Sequence, residues 1–564
     1  MAGHGSSHQL LSSPVGTNSR VSVIIEDGIV KSCAKGAVIP DVIFKSFFTD
    51  IWQDHEDLTA LVDAQLDTSC TFGELLDASR RVAAGLRRLG LRAGDVVAFH
   101  GPNSLELVFA MCGTFFAGGI GLLSKGSLTS GEIHFQLVDA KPKFIFCQSE
   151  EVSEMRQACE GVASVEEIIA LNGSCEEARN FWELKETDLV ENDACLNQTP
   201  DMTLLIAYSS GTTGLPKGVQ LTHRNIIAQV ISYGYLDPIF ERGDSFWCPS
   251  TMMHIGGFWT VFCYLGLGCK VVFRDLFDIG STLAAIKRHK PTTVAMYPSA
   301  IRQFDQWSQS GDFERSSVKK LLVGGGTVSP SVLKSIRRKL GLKELSQGYG
   351  MTELTCCIAF STRLDDLKSV GKPAAFCEIK VVDFDTRETL GPNQQGEVCV
   401  KSPAAFKAYL NQPKATADAY EDGFVRTGDR GYYTADGCLF LSGRFKELIK
   451  CMDQQVSPAE LEELLAADPA VKHVIVVGIP HPQYGEAVRA FVVHRCRPVD
   501  PLEEQQEAER LKQLIAGRLA HHKHLHGGLE FLDSIPQTNN GKYLRNSVKM
   551  AYIERCQSGQ NSGI

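Results

Sequence analysis

Short runs of apolar residues alternate with longer amphipathic segments along much of the chain. The apolar runs are continuous and rich in Val, Ile and Leu, which is typical of strands buried on both faces of a parallel sheet. The intervening segments repeat apolar residues at helical spacing. Candidate strands are 95–100, 143–147, 203–210, 270–273, 292–298 and 319–325, and candidate helices are 75–90 and 279–290. The alternation predicts an α/β fold with mainly parallel sheets flanked by helices.

The pattern changes twice toward the C-terminus. Polar turns multiply after residue 371, which predicts a smaller, antiparallel β-rich section. Another αβ pattern begins past residue 445, where SPAELEELLAAD offers a Ser N-cap, Pro at the first helical position and Glu at the third. We therefore predict a domain boundary near Arg444. The most apolar run, residues 107–123, is short for a membrane span and carries glycines, so we interpret it as a buried helix that leads into a strand.

Composition narrows the class of protein. The chain has 564 residues, 43% of them apolar and 22% charged, which fits a globular protein of several domains. Its net charge of −9 argues against nucleic acid as a partner. The 18 cysteines are scattered and contain no CxxC pair, which predicts buried, reduced thiols in a reducing compartment, most simply the cytoplasm. The peroxisome stays open as an alternative compartment, although the final residues NSGI do not match a Ser-Lys-Leu type of peroxisomal signal.

The first candidate for chemistry is the loop YSSGTTGLPKG at 208–218, which directly follows a predicted strand. Its glycines permit positive φ angles and a close backbone approach to a ligand, and its hydroxyls and Lys217 offer donors and charge. The order of residues around Lys217 does not fit a Walker A loop, because Pro216 precedes the lysine and Gly218 follows it. The loop therefore predicts a phosphate site of another kind.

With its companion motifs, the loop resembles the signature of the adenylate-forming superfamily, which includes acyl-CoA synthetases, 4-coumarate–CoA ligases and luciferases. The other motifs follow in that family's order and span the chain from about residue 45 to 552. They are GGGTVSP (324–330), QGYGMTE (347–353), VRTGD (425–429), GRFKELIK (443–450) and PQTNNGK (536–542).

The resemblance implies a two-step reaction in which a carboxylic acid attacks ATP to give an acyl-adenylate and pyrophosphate, and coenzyme A then displaces AMP. The implied fold is a large N-terminal domain of mainly parallel sheets with a β-rich subdomain, plus a small mobile α+β lid. The implied cofactors are ATP, Mg²⁺ and coenzyme A, with no nucleic acid and no transmembrane segment. The predicted parts are a disordered tail 1–21, an adenylation domain 22–443, a lid 444–552 and a tail 553–564.

The resemblance also assigns roles to individual residues. Tyr349 would offer an aromatic face to adenine, Asp429 would accept hydrogen bonds from the ribose diol, and Glu353 would bind Mg²⁺. Catalysis is assigned to Lys542, Lys450, Thr352 and Glu353, with Lys542 supplied by the closing lid to the developing charge. The full set implied for ATP and AMP is Ser209, Ser210, Gly211, Thr212, Thr213, Gly214, Lys217, Gly325, Gly326, Thr327, Gln347, Gly348, Tyr349, Gly350, Asp429 and Arg444.

The acyl pocket is implied between the segment MMHIGGFW and the residues that follow the GYG motif. His254 matches the pocket histidine of the family, the two glycines leave room, and apolar walls predict a fatty or aryl acid. The pocket residues are His254, Gly256, Gly257, Phe258, Met351 and Ile358, with Trp259 and Phe360 as further walls.

The lid departs from the family in one place. Lys450 and Gln455, implied for the coenzyme A step, match the family motif, but Met452 replaces its second lysine and Asp453 replaces its glycine. A β-carbon and a negative charge at Asp453 put the thioester step in question. Two alternatives therefore stay open: a luciferase-like adenylate-forming oxygenase, and an acyl or nucleotide binder with a defective thioester step.

The segment HHKHLH at 521–526 places His522 and His526 at the i,i+4 spacing that suits a metal. The segment precedes a Gly-Gly turn and has no carboxylate or cysteine nearby, so a site without metal is the simpler interpretation.

Overall fold

The computed structural model describes residues 21–34, 38–189, 198–209, 215–235, 243–274, 278–307, 317–325, 328, 330–361, 367–444, 448–496, 498, 500–536 and 543–557. Contacts between Cα atoms divide the chain into two compact units. The first comprises Met1–Gly126, Ile133–Tyr208 and Gly218–Gly443, and the second comprises Ser127–Glu132, Ser209–Lys217 and Arg444–Ile564. The division at Arg444 is a property of the packing; the assignment of the smaller unit as a lid stays a prediction.

The strands are mostly short and buried. In chain order they are β1 (Val21–Glu26), β2 (Ile29–Ala34), β3 (Thr59–Asp63), β4 (Thr68–Thr71), β5 (Val96–His100), β6 (Ile120–Ser124), β7 (Phe144–Cys147), β8 (Glu167–Ala170), β9 (Arg179–Asn180), β10 (Thr203–Ser209), β11 (Lys217–Thr222), β12 (Ser245–Cys248), β13 (Lys270–Phe273), β14 (Thr293–Met296), β15 (Lys320–Val323), β16 (Glu344–Met351), β17 (Cys356–Phe360), β18 (Lys372–Pro373), β19 (Glu378–Val382), β20 (Gly396–Lys401), β21 (Ala408–Tyr409), β22 (Tyr420–Glu421), β23 (Phe424–Tyr433), β24 (Leu439–Arg444), β25 (Ile449–Cys451), β26 (Gln454–Val456), β27 (Val471–His481), β28 (Gly485–His494) and β29 (Leu529–Phe531).

Helices connect many of these strands, and short 3₁₀ turns lie at Ser149–Glu151, Thr352–Leu354 and His521–Lys523. The α-helices of the described residues are α1 (Phe44–Gln53), α2 (Phe72–Arg88), α3 (Leu105–Ala117), α4 (Ser130–Ala140), α5 (Val152–Ala158), α6 (Phe181–Lys185), α7 (His223–Gly234), α8 (Ile255–Gly266), α9 (Ile279–His289), α10 (Pro298–Trp307), α11 (Pro330–Leu340), α12 (Pro413–Ala419), α13 (Pro458–Ala466), α14 (Pro501–Ala516) and α15 (Arg545–Gln557).

Two large sheets form the body of the first unit. One has the strand order β21-β11-β10-β6-β5-β7-β8-β9, and the other has β18-β17-β16-β15-β14-β12-β13-β3-β4. Neighbouring strands in their centres are parallel, for example β5 with β6 and β14 with β15. Because parallel strands need crossovers, helices cover these sheets, and central strands such as β5, β7 and β13 are mainly apolar. The predicted α/β fold class is confirmed.

The third sheet of the first unit is antiparallel, with the order β1-β2-β19-β20-β23-β22 and with β24 beside β23. This is the β-rich section expected after residue 371, but its outer hairpin comes from the N-terminus. Glu26 pairs with Ile29, and Asp27 and Gly28 between them have φ angles of +50° and +75°. Such a two-residue turn closes a hairpin whose twist matches that of its strands.

The apolar run at 107–123 forms the buried helix α3 followed by β6, as the sequence predicts. Ser104 caps the helix by accepting a hydrogen bond from the Leu107 N–H, and Gly118 ends it with a φ of +90°. The helix is apolar on every face because it is enclosed by protein. Within the described part of the chain, no helix is both long and apolar enough to cross a membrane.

The second unit contains a sheet of order β26-β25-β28-β27, with β29 beside β28. Helix α13 begins as predicted, with Ser457 at the N-cap and Pro458 first, but the Ser457 hydroxyl makes no cap hydrogen bond. The expected reciprocal partner, Glu460, is buried and accepts instead from the Lys523 ammonium at 2.8 Å. A buried carboxylate is stabilised more by a cation than by a neutral amide, so the ion pair replaces the capping box.

Candidate active site

The GYG motif lies at the end of β16, where the parallel sheet gives way to the antiparallel strand β17. Here the Tyr349 hydroxyl donates a hydrogen bond to Asp429 Oδ2 at 2.7 Å. Both side chains are buried, Tyr349 at 6% and Asp429 at 3% exposure. Asp429 comes from β23 of the antiparallel sheet, and its own N–H donates to Thr427 Oγ1 at 3.0 Å. The fold thus joins an aromatic ring to a carboxylate, two residues implied for the nucleoside of ATP.

Glu353 lies in the 3₁₀ turn that follows β16, next to Thr352. The Tyr409 hydroxyl donates to Glu353 Oε1 at 2.9 Å, and the Phe406 N–H donates to the Glu353 carbonyl at 2.8 Å. Burial and the Glu353 charge raise the pKa of Tyr409, so this phenol stays protonated and serves as a donor. A carboxylate oxygen is the kind of hard ligand that Mg²⁺ prefers, and the assignment of Glu353 to the ion stays a prediction.

The glycines of the motif have a packing reason that the sequence does not reveal. A β-carbon added at Gly350 would lie 1.6 Å from the Cys356 carbonyl oxygen, and one at Gly348 would lie 3.1 Å from Cys357 Sγ. The register of β16 against β17 therefore requires glycine at position 350 with or without a nucleotide. Gln347, in the same strand, is buried and donates through Nε2 to the Leu367 carbonyl at 2.6 Å.

Tyr297, at the end of β14, connects the predicted nucleotide loop with the predicted acid pocket. A β-carbon at Gly325, where φ is +79°, would lie 2.8 Å from Tyr297 Cδ1. A β-carbon at Gly256 would lie 2.9 Å from Tyr297 Oη, and the ring is 6.4 Å from that of His254. One aromatic ring therefore borders Gly325, Gly256 and His254.

His254 is the N-cap of α8, and its Nδ1 accepts a hydrogen bond from the Gly256 N–H at 3.1 Å. An accepting Nδ1 places the ring hydrogen on Nε2. Burial, with a smaller contribution from the Lys125 charge, lowers the pKa of His254 to about 3. The imidazole is therefore neutral at physiological pH and can act as a hydrogen-bond donor.

The remaining pocket residues lie at different depths. Gly257 packs on the loop before α8, since an added β-carbon would lie 2.0 Å from the Thr251 carbonyl oxygen, so it leaves no room for a ligand. Phe258 is buried against Phe262, with 4.4 Å between ring centroids. Ile358 is buried in β17, whereas Met351 is half-buried at the end of β16.

Several predicted residues lie at or beyond the edges of the described segments. Ser209 ends β10 and the half-buried Lys217 begins β11. Outside the described residues lie Ser210, Gly211, Thr212, Thr213, Gly214, Gly326, Thr327 and Lys542, and for Arg444 only the backbone is described. Their assigned roles stay predictions.

Lys450 and Gln455 pair across the hairpin of β25 and β26. The Lys450 N–H donates to Glu486 Oε2 at 2.9 Å. The turn between the strands is Met452–Asp453, the point at which the sequence departs from the family motif, and both residues have left-handed backbones, with φ angles of +55° and +60°. Asp453 occupies the position at which the family motif has glycine. Glycine adopts a left-handed backbone without the conformational penalty that a β-carbon brings.

Sequence reasoning missed Tyr297, Tyr409 and Gln229. Tyr297 was detectable, because it lies near the carboxyl end of the predicted parallel strand 292–298, and the carboxyl ends of such strands form ligand crevices. Gln229 bridges two carbonyls beside the motif, donating to Leu354 at 3.1 Å and to Cys357 at 2.9 Å. Nothing in the local sequence marks Gln229 or Tyr409, since their partners are remote in the chain.

Comparisons with known proteins show which family the chain belongs to. Residues 48–410 match the AMP-binding enzyme family, and residues 460–542 match the AMP-binding enzyme C-terminal domain. The chain belongs to the AMP-binding enzymes. A relative, 4-coumarate-CoA ligase 1 of Narcissus pseudonarcissus, is 32% identical over 546 residues, which cover 92% of this chain and 98% of that protein.

Two solved structures are similar over most of their length. A double mutant of o-succinylbenzoate CoA synthetase from Bacillus subtilis is 28% identical with a TM-score of 0.76, covering 89% of this AMP-binding enzyme and 98% of that chain. A luciferase-like enzyme from the nonluminescent mealworm Zophobas morio is 26% identical with a TM-score of 0.68, covering 76% and 100%. The resemblance to the adenylate-forming superfamily is confirmed.

Proposed function

We propose that this AMP-binding enzyme is an ATP-dependent acid–CoA ligase. It activates an apolar carboxylic acid as acyl-AMP, releases pyrophosphate and transfers the acyl group to the thiol of coenzyme A. CoA ligase and CoA synthetase relatives that extend along nearly the whole chain support this assignment.

The observation that carries the proposal is the buried hydrogen bond between Tyr349 and Asp429. It places a carboxylate, suited to a ribose diol, beside an aromatic face suited to a purine. Glu353, four positions after Tyr349 in the sequence, is held by Tyr409, and we assign it to Mg²⁺. Bound Mg²⁺ would neutralise phosphate charge, while the chain's own residues orient the nucleoside.

We propose that the carboxylic acid binds beside His254. A neutral imidazole with hydrogen on Nε2 can donate a hydrogen bond to the substrate carboxylate. Because the ring carries no charge, it forms no ion pair that would weaken the carboxylate as a nucleophile. The nearby walls are aromatic: the Tyr233 ring lies 4.3 Å from that of Trp259 and 4.8 Å from that of Phe360. Such surfaces favour aryl or fatty acids over short polar ones, because burying apolar substrate area stabilises the complex.

The acceptor of the acyl group depends on the second unit, which we propose acts as a lid. Similarity to the Zophobas morio luciferase-like enzyme supports a second candidate, in which oxygen receives the activated acid. Met452 and Asp453 form the turn of the β25–β26 hairpin. They are the residues that we expect to affect transfer of the acyl group to the thiol of coenzyme A.

A product analysis distinguishes these functions. The protein is incubated with ATP, Mg²⁺ and a panel of aryl and fatty acids, with and without coenzyme A, and the products are identified by mass spectrometry. Thioester supports the ligase, oxygen consumption with an adenylated acid supports the oxygenase, and accumulated acyl-AMP shows a defective second step. Formation of neither adenylate nor thioester from any acid would refute the proposal.

We also propose a cytoplasmic location. Sixteen cysteines in the described part of the chain are free thiols, and most of these are buried. Free thiols in such number suit a reducing compartment. Fractionation of cells with antibody detection is the direct test, and a fully organellar protein would contradict this placement.

A further inference from the structure

Three histidines of the second unit form a cluster that the proposed ligase chemistry does not use. One ring nitrogen from each of His521, His524 and His526 lies within 4.8 Å of the others. The ring centroid of His521 is 4.6 Å from that of His526 and 5.1 Å from that of His524. His521 is exposed and the other two are half-buried, so solvent ions can reach the cluster.

The backbone fixes two of these rings. His524 Nε2 lies 2.8 Å from the Leu519 carbonyl oxygen, and His526 Nε2 lies 2.7 Å from the His521 carbonyl oxygen. A carbonyl only accepts, so each Nε2 carries the hydrogen and each Nδ1 carries a lone pair. Donation of one ring nitrogen to a carbonyl is the usual way in which proteins orient a metal-binding histidine.

The chain between these residues is also constrained. The His526 N–H donates to the His524 carbonyl at 2.7 Å, and the next N–H, that of Gly527, donates to the Val488 carbonyl at 2.8 Å. The segment is therefore anchored to strand β28 directly after its last histidine.

We propose that His521, His524 and His526 bind a divalent transition-metal ion, with Zn²⁺ as the ion best suited. Imidazole nitrogen ligands suit Zn²⁺, Cu²⁺ and Ni²⁺, whereas Mg²⁺ and Ca²⁺ take oxygen ligands. Three histidines with a water in the fourth position form a tetrahedral zinc site, at Zn–N distances of roughly 2.0–2.1 Å.

The ligand set differs from the pair that spacing suggested. The i,i+4 spacing predicts His522 and His526 on one face of a helix. In the structure, residues 521–523 form a 3₁₀ turn and His522 is buried, at 5% exposure. The chain leaves this turn at His524, whose backbone is extended, so the α-helical spacing that would align His522 with His526 does not apply.

The cluster is connected with the hairpin that carries Met452 and Asp453. The His526 ring lies 4.9 Å from the Tyr484 ring, and the Tyr484 carbonyl accepts a hydrogen bond from the Met452 N–H at 2.9 Å. A bound metal would hold His526 in place and so restrict Tyr484. Hydrogen exchange at the Met452 amide therefore reports metal binding independently of any activity.

The test uses the full-length, tag-free protein in a Cys496→Ser, Cys556→Ser background, because these two thiols are exposed and could bind zinc themselves. Zn²⁺ is titrated against a chromophoric chelator, and Co²⁺ is used as a spectroscopic probe of nitrogen ligation. We expect one ion per chain, no thiolate absorption band with Co²⁺, and slower exchange of the Met452 amide on addition of Zn²⁺.

The decisive variants are His524→Gln and His526→Gln. Glutamine keeps an N–H donor for the carbonyl but removes the Nδ1 lone pair, so it separates metal binding from a structural role. Each is expected to weaken Zn²⁺ binding at least about tenfold, with an unchanged circular dichroism spectrum. The matched control is His134→Gln, whose ring nitrogen contacts the Ala158 carbonyl in the first unit at 2.9 Å. Equal affinity in all three variants and the parent, or no binding by the parent, would overturn the proposal.

Discussion

Replacing Asp453 by glycine tests whether the β25–β26 hairpin of the second unit restrains the thioester step. Met452 and Asp453 have φ angles of +55° and +60°, and the flanking residues Cys451 and Gln454 are paired. This is the geometry of a two-residue hairpin turn whose second position favours glycine. Asp453→Gly removes strain, a β-carbon and a charge without altering the flanking strands.

The magnitude follows from the backbone conformation. A left-handed residue with a β-carbon costs roughly 1–2 kcal/mol relative to its relaxed state, and less for Asp, whose side chain tolerates this region. The greater freedom of glycine in the unfolded chain offsets roughly 0.4–1 kcal/mol. We expect local stabilisation of the hairpin by about 0.5–1 kcal/mol, which slows exchange of its amides by roughly two- to fivefold.

Two assays divide the effect by reaction step. Acid-dependent ATP–pyrophosphate exchange measures adenylation and should be unchanged in Asp453→Gly, while single-turnover transfer from acyl-AMP to coenzyme A should be faster. Asp453→Asn is the matched control, because it removes the charge but keeps the β-carbon and the backbone preference. Acceleration by both variants identifies the charge as the restraint, and acceleration by glycine alone identifies the β-carbon.

The reasoning about position 453 is refuted if the glycine variant transfers the acyl group at the parental rate. The backbone argument fails separately if the hairpin amides of Asp453→Gly exchange as fast as, or faster than, those of the parent. Amides of strand β5, in the other unit, provide the internal reference for exchange.

Three further predictions concern the site. Tyr349→Phe removes the 2.7 Å hydrogen bond to the buried Asp429. We expect the KM for ATP in pyrophosphate exchange to rise about tenfold. The control is Tyr432→Phe, which changes a ring that stacks on Phe440 and should leave the KM for ATP unchanged. Burial lowers the pKa of His254 in the folded protein to about 3. Between that pH and about pH 6.5, only the unfolded state binds a proton at this residue. The free energy of unfolding should therefore fall by about 1.4 kcal/mol for each unit by which the pH is lowered in this window. Urea unfolding of His254→Gln should lack this part of the pH dependence, and an identical profile would contradict the assignment. Lys542→Ala should lower acid-dependent pyrophosphate exchange by roughly 100- to 1000-fold while the circular dichroism spectrum is retained, and near-parental exchange would exclude Lys542 from adenylation.

The sequence of the N-terminal hairpin contains a turn signal that predicts the hairpin. Asp27 and Gly28 stand between VSVIIE and IVKSCA, and an Asp-Gly pair between strand-forming runs is a strong hairpin signal. The structure closes this hairpin and adds it to the antiparallel sheet beside β19. The sequence could predict the hairpin, but its sheet partner lies more than three hundred residues away.

The candidate site shows the same limit. The GYG and VRTGD motifs were each recognisable, and the family resemblance assigned both to the nucleoside. The hydrogen bond that joins them spans 80 residues, and the Tyr409–Glu353 bond spans 56. Tyr409 has no motif of its own, so only the packing of β21 near the 3₁₀ turn identifies it as the residue that orients Glu353.

The sequence by itself determined the alternation of buried strands and helices, the family and the motifs that carry its chemistry. The strands and helices depend on the periodicity of side chains and on local backbone preferences, which act over a few residues. The family follows from the resemblance of the motifs. The tertiary structure alone decided that Gly350 is required by the neighbouring strand, that Asp429 meets Tyr349, and that His521 rather than His522 joins His526. Such contacts depend on how distant segments pack, because the hydrogen bonds and steric limits that select them arise only when the sheets and turns are assembled.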